Sequence, residues 1–156
     1  MKNLYNIIKA FETVCNAHPE VHGFVYGDPQ KINSKQDNAY PIIAIAPTPA
    51  TIQKGIVDYS FEVAIFGEPK INENSLTDYF ETDSLLFDII FDILGEVKMG
   101  ITKINTTDRE ITLQEDITVS PVQATFNDKL NGWSASIVIT VPKPMNGCSD
   151  SIINVE

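Results

Sequence analysis

The densest potential chemistry in the chain is the run His18-Pro19-Glu20-Val21-His22, which brings both of its histidines and a carboxylate within five residues. Imidazoles four apart on a helix can share a zinc ion, and a glutamate beside them can activate bound water. The spacing here does not meet that chemistry. In the zinc-hydrolase pattern the glutamate directly follows the first histidine, whereas here it comes second, after a proline that ends a helix. Surface or turn histidines without a metal are therefore expected. Cys15 lies nearby but has no evident third partner to complete a nucleophilic set. By phase it falls on an apolar stripe, where a free thiol behaves as a small hydrophobe. Cys148 is far away and there is no CxxC spacing, so neither a disulfide framework nor a zinc site is indicated. A GxSxG elbow and a Gly-rich phosphate loop are both absent, and the carboxylates show no pairing. The residues give no support for catalysis or for a cofactor, and the expectation is a protein that is not an enzyme.

Charge patterning offers surfaces instead. Asp88, Asp92 and Glu96 repeat every fourth residue along a predicted helix, stacking like charges on one ridge at a cost of roughly 0.2–0.5 kcal/mol per pair. Such a ridge is either a solvated face or a wall that meets a basic strip on a neighbour or lines a channel. Asp83 falls by phase on the apolar stripe of the same helix, at the rim of the core or beside a base. The polar stretch from Asp28 to Asn38 carries Lys31 and Lys35 and reads as a long hairpin loop, either mobile or ordered against a neighbour at docking. The candidate interface residues are thus Asp28, Lys31, Lys35, Asp88, Asp92 and Glu96.

The elements that must position these residues follow from hydrophobic periodicity. Leu4, Ile7, Ile8, Phe11, Val14 and Cys15 recur at three and four, predicting a helix over about 2–17 that Pro19 ends. A short β-rich run, Val21 to Tyr26, precedes the loop. Tyr40 to Ala46 is a continuous apolar run of strand length, buried on both faces and halted by Pro47-Thr48-Pro49. Val57, Tyr59, Phe61, Val63 and Ile65 alternate with smaller or polar residues, the signature of a half-buried strand. Ser75 or Thr77 caps a second helix with the stripe Leu76, Tyr79, Phe80, Leu86, Phe87, Ile90, Phe91, Leu94 and Val97. That helix is expected to reach about Lys98, with Gly100 as its C-terminal cap. Strands follow at 111–113, 117–119, 122–126 and 133–141, the last two joined through 127–132. Helix, strands, helix, strands predicts an α+β domain with a mainly antiparallel sheet and two helices packed on one face.

Composition bounds the rest. The 156 residues suffice for one core without staples, and 43% apolar against 21% charged residues argues against disorder along most of the length. A single domain over 1–148 with a tail over 149–156 is expected. The formal charge of -10 repels phosphate backbones, so sequence-specific nucleic-acid binding is not expected. No run approaches the roughly 20 apolar residues of a membrane span, and no signal peptide opens the chain.

The C-terminal third carries a resemblance. Phe126-Asn127-Asp128, Gly132-Trp133-Ser134-Ala135 and Val141-Pro142-Lys143-Pro144-Met145-Asn146-Gly147-Cys148 resemble the ending of small structural proteins of tailed bacteriophages, including crAss-like phages, from their head-tail gene blocks. Tyr40-Pro41-Ile42-Ile43 followed by Pro47-Thr48-Pro49, and the strand Tyr59 to Phe66 before a long helix, fit the same pattern, so the likeness covers roughly Tyr40 to Cys148. The resemblance implies a tail-terminator-like or head-tail connector ring protein, made in the host bacterial cytoplasm and carried in the virion. Its partners would be copies of itself and adjacent neck, portal or tail proteins, with DNA passing through the lumen without specific binding. It carries no catalytic residue across. The alternative expectations are a transient assembly chaperone or monomeric adaptor that leaves before maturation, and a small hydrolase or ligand-binding domain with a deep polar pocket.

Overall fold

The computed structural model describes residues 3–27, 40–68, 76–104, 111–125 and 129–142. Two helices and six strands follow one another as α1 (Asn3–Ala17), β1 (Gly23–Tyr26), β2 (Ile42–Gln53), β3 (Ile56–Gly67), α2 (Leu76–Ile104), β4 (Thr112–Leu113), β5 (Val119–Thr125) and β6 (Lys129–Pro142). The architecture is α+β, with a mostly antiparallel sheet and both helices on one face, as the periodicity predicts.

The sheet runs β1-β2-β3-β6-β4, and β5 pairs β6 beyond β4. The long strand β6 is thus flanked by β3 along one edge and by β5 and then β4 along the other. Period two sorts the side chains cleanly. Ile43, Ile45, Phe61, Val63, Ile65, Ala135, Ile137, Ile139 and Val141 face the helices and are buried, while the alternate positions carry Asp58, Ser60, Glu62, Ser134, Ser136 and Thr140. Near the start of β2 the polar face turns apolar, where Ile42, Ala44, Ala64 and Phe66 form a second, smaller cluster. The prediction that the Tyr40 to Ala46 run is buried on both faces therefore holds for Ile42 to Ile45.

Prolines do not end strands here where expected. β2 continues through Pro47 and Pro49 to Gln53, with a register shift between Thr48 and Thr51. The reason is its position. β1 pairs β2 only as far as Ile45, so beyond that point β2 has one partner, and a proline on an open edge forfeits no ladder bond. Pro121 sits within β5 on the same terms, because β5 pairs only β6, and the two short runs expected at 117–119 and 122–126 become one strand from Val119. β1 lies parallel to β2, so the segment between them is not a hairpin connection, as the turn-rich sequence suggested. The turn joining β5 to β6 is tighter than read, since Thr125 already pairs with Lys129. Gly132 lies in β6 opposite Phe66, and a Cβ there would come within 2.9 Å of the Phe66 ring and closer still to the Ile65 carbonyl oxygen. Only glycine admits that approach.

α1 behaves as its stripe dictates. Ile7, Phe11 and Cys15 are buried, Phe11 lies 6.5 Å from Phe61 between ring centres, and the helix closes with the His18 amide donating to the Val14 carbonyl at 3.1 Å. α2 departs from expectation twice. It runs through Gly95 and Gly100 to Ile104 rather than stopping near Lys98, and Ile101, buried at 7% exposure, helps to offset a propensity penalty of about 1 kcal/mol per glycine. Its buried stripe is also rotated. Leu86, Ile89, Ile90, Ile93, Leu94, Val97 and Ile101 enter the core, whereas Phe80, Phe87 and Phe91 do not. The expected cap Ser75 and the side chains of Leu76 and Tyr79 lie outside the described residues. No helix among the described residues is long and apolar enough to cross a membrane.

Candidate interaction surfaces

The exposed side of α2 combines two rows. Phe80, Phe87 and Phe91, spaced seven and four apart, lie on one stripe with 63%, 37% and 67% of their surfaces exposed. At a typical aromatic side-chain area, the three together leave on the order of 300 Å² of apolar surface in water. Around the helix from this stripe, at about 80°, 120° and 160° of phase, come Asp88, Asp92 and Glu96, all exposed, so that Asp88 is nearest the rings and Glu96 lies on the far flank beside exposed Leu85. The predicted acidic ridge is therefore present on the surface, and the aromatic stripe that the periodicity assigns to the core is exposed as well.

Part of this surface is held rigidly. Phe87 meets Trp133 edge to face at 5.2 Å between ring centres, and the Trp133 indole N–H donates to the Asp83 carbonyl at 2.9 Å. That bond gives Asp83 its place: it sits at the rim of the core and contributes its main-chain oxygen to the partly buried indole, with no base involved in that bond. At the other side of α2, His18 Nε2 lies 3.5 Å from Asp92 Oδ2, linking the end of α1 to the middle of the ridge. Asp88 and Glu96 have no such partner among the described residues.

The histidine run does not assemble a reactive centre. The His18 ring also accepts from the Glu20 amide through Nδ1 at 3.2 Å, and His22 contributes its backbone amide to the Pro41 carbonyl. Among the described residues no group of three or more His, Cys, Asp or Glu side chains could hold a metal. Cys15 is fully buried between helix and sheet, and loss of hydration pushes its thiol up to about 12, which disfavours the thiolate a nucleophile requires.

The helix-free face of the sheet carries a second polar surface. Ser136 donates to Glu62 across the β3–β6 pair at 2.7 Å, and Thr140 donates to Asp58 at 2.6 Å. An open hollow of about 390 Å³ lies over this face, lined by Glu62, Asp116, Gln114 and the hydroxyls of Ser120, Ser134 and Ser136. Its walls are hydroxyls and carboxylates with little apolar surface, unlike the mostly apolar walls of a small-molecule pocket.

Of the sequence-predicted interface residues, Asp88, Asp92 and Glu96 come together on α2, while Asp28, Lys31 and Lys35 lie outside the described residues. The aromatic stripe was the residue set that periodicity missed. The chain matches no protein-family model, and no curated protein is similar to it at a significant level.

Proposed function

We propose that this protein is a structural subunit that works through its surfaces: one copy of a ring in the head-tail connector, neck or tail terminator of a tailed bacteriophage, with no reactive centre. The observation that carries the reading is the aromatic and acidic face of α2. Three phenylalanines held in water on one stripe, with Asp88 the nearest carboxylate, have no use in a lone monomer, and exposed aromatic anchors are the usual anatomy of a protein interface. The polar, carboxylate-bearing face of the sheet and the net charge of -10 suit a wall along which DNA slides without adhering. The phage assignment itself rests on the C-terminal sequence resemblance.

Native mass spectrometry and negative-stain imaging of the purified chain test the assembly, and mass spectrometry of purified virions tests the place. A closed ring in the first and a stoichiometric band in the second are the expected results. Presence in infected cells with absence from mature particles would instead identify a transient assembly chaperone and overturn the proposal.

A further inference from the structure

We propose that copies of this chain are joined by strand exchange, the run 151–155 of one copy adding to the open edge of β1 in the next; the inference rests on the ring reading above and names the contact between its copies. β1 is the end strand on its side of the sheet and pairs only with β2, so one side of its backbone from Gly23 to Tyr26 has no strand beside it. An unpaired edge is a template for an added strand, and proteins commonly block such edges with proline. This sheet blocks its other long edges. On the β1 side, the Ile45 carbonyl accepts from the Gly27 amide at 2.9 Å, so by alternation Pro47 faces the same side without an N–H to offer, and Pro49 follows it. Pro121 interrupts the free side of β5, and β4 is only two residues long. Among the described residues, the β1 edge alone offers four consecutive positions free of proline.

The same elimination identifies the occupant. Of the segments outside the described residues, 28–39, 69–75, 105–110 and 126–128 each hold at most one large apolar residue, whereas 151–155 holds Ile152, Ile153 and Val155 within four positions. Apolar β-branched residues of this kind pack well on a pleated sheet. Along an added strand Ile153 and Val155 share one side of the sheet, and Ile152 and Asn154 the other. One pair would lie beside Phe24, which packs against the main core, and the other beside Val25, which packs against the smaller cluster. Both sides of the added strand thus meet apolar neighbours. The α2 stripe suits the run less well, because Asp150 and Glu156 flank it and Asp88 is the carboxylate nearest the rings.

Reach favours a neighbouring copy over the same one. Pro142 pairs with Ile56, whereas Tyr26, the nearer end of β1, is level with Ala135 through Ile45 and Val63. A strand outside β1 therefore begins seven residues back along β6 and four strands across from Pro142, about 24 Å by 19 Å, or about 31 Å in a straight line. The segment 143–150 carries the chain at most about 30–32 Å from Pro142 to residue 151. Only a fully straightened segment could serve the same copy, yet this one contains Pro144 and Gly147, both turn formers. A neighbour imposes no such demand. Because run and edge are different parts of the chain, the contact is heterologous, and a heterologous contact that closes on itself makes a ring.

The full chain carrying Ile153→Asp with Val155→Asp tests this; circular dichroism and thermal unfolding verify that it is folded. By analytical ultracentrifugation up to the highest soluble concentration, wild type is expected to form a closed oligomer and the variant to self-associate at least about 30-fold more weakly, the scale of a hot-spot deletion. Hydrogen–deuterium exchange read by mass spectrometry locates the contact. The β1 amides of the variant are expected to exchange at least about 10-fold faster than those of wild type, the scale of one or two backbone hydrogen bonds. A synthetic peptide of residues 149–156 added to the variant should restore the protection, and the same peptide with both aspartates should not. The same oligomer in wild type and variant would overturn the strand exchange while leaving the ring reading intact, as would β1 amides that respond to neither the substitutions nor the peptide. A wild type that stays monomeric at every concentration, with β1 protected or not, overturns the contact between copies, and its presence or absence in virions then decides the ring reading separately.

Discussion

Two residues separated by one position on α2 give the sharpest test of how the helix is seated. Ile93 has no exposed surface and Phe91, two residues earlier, has 67% of its surface in water. Truncating Ile93 to alanine removes buried methyl and methylene groups from the main core cluster, and such deletions cost 2–5 kcal/mol, so about 3 kcal/mol is expected. Full burial of phenylalanine is worth about 1.5–3 kcal/mol, so the third of Phe91 that is covered contributes about 0.5–1 kcal/mol. Alanine recovers part of that through its higher helix propensity. The net change for Phe91→Ala is therefore expected within about 0.5 kcal/mol of zero. Urea unfolding at low micromolar concentration, followed by the fluorescence of the single tryptophan and by circular dichroism, reads both. With a denaturant slope of roughly 2 kcal/mol/M, Ile93→Ala should lower the midpoint by about 1.5 M and Phe91→Ala by less than about 0.3 M. Equal midpoints, or a larger loss for Phe91→Ala, would mean that α2 presents the aromatic stripe to the core, and the interface built on that stripe would go with it.

Four further outcomes are expected. In a Cys148→Ser background, Cys15 should react with a thiol reagent only as fast as the protein opens; rapid reaction in the native state would contradict its burial. Because its folded thiol is raised to about 12, from the ordinary value of 9.0, Cys15 contributes stability that is complete below pH 9 and lost between pH 9 and about 12. Relative to Cys15→Ala, wild type should lose about 1.4 kcal/mol per pH unit across that window, and parallel curves would refute the assignment. Gly132→Ala should destabilise by about 1–3 kcal/mol or more in urea titrations, since its Cβ meets the Ile65 carbonyl and the Phe66 ring within the paired strands; a neutral result would mean that the β3–β6 register differs. Trp133→Phe should cost about 1–2 kcal/mol by circular dichroism, through the lost bond to the Asp83 carbonyl and the weaker contact with Phe87.

Elements whose pattern has one phase were legible in the sequence. α1 and β3 each show a single apolar face, so Phe11, Cys15, Phe61 and Val63 could be assigned to the core from spacing alone. α2 could not be read this way, because apolar residues occupy most of its circumference. Phe87 and Phe91 lie close enough in phase to Ile90 and Leu94 to pass as one stripe, and nothing local says that the sheet takes Ile89 and Ile93 instead. The signal available was the width of the apolar arc, broader than one buried face requires. Pro47 and Pro49 were misleading for a related reason: a proline ends a central strand but is tolerated on an edge, and edge status depends on which strands pair across the whole chain. The same non-local dependence hid the parallel pairing of β1 and the contact between His18 and Asp92, whose positions are 74 residues apart. The acidic ridge was legible, but its aromatic neighbour was not, so the site was half visible.

The placement of charge on α2 bears on how so much aromatic surface stays tolerable in a single copy. Three exposed phenylalanines on one stripe invite indiscriminate association, and a neutral flank would leave copies free to meet face to face. The ridge of Asp88, Asp92 and Glu96 costs only a few tenths of a kcal/mol per pair within the helix, yet it doubles in number against any second acidic face and so penalises that encounter far more than it strains the monomer. Asp92 is partly occupied by His18, which leaves Asp88 as the unoccupied carboxylate nearest the rings. These exposed residues leave the buried Ile89, Ile90 and Ile93 face untouched, so their charge can be changed without disturbing the core.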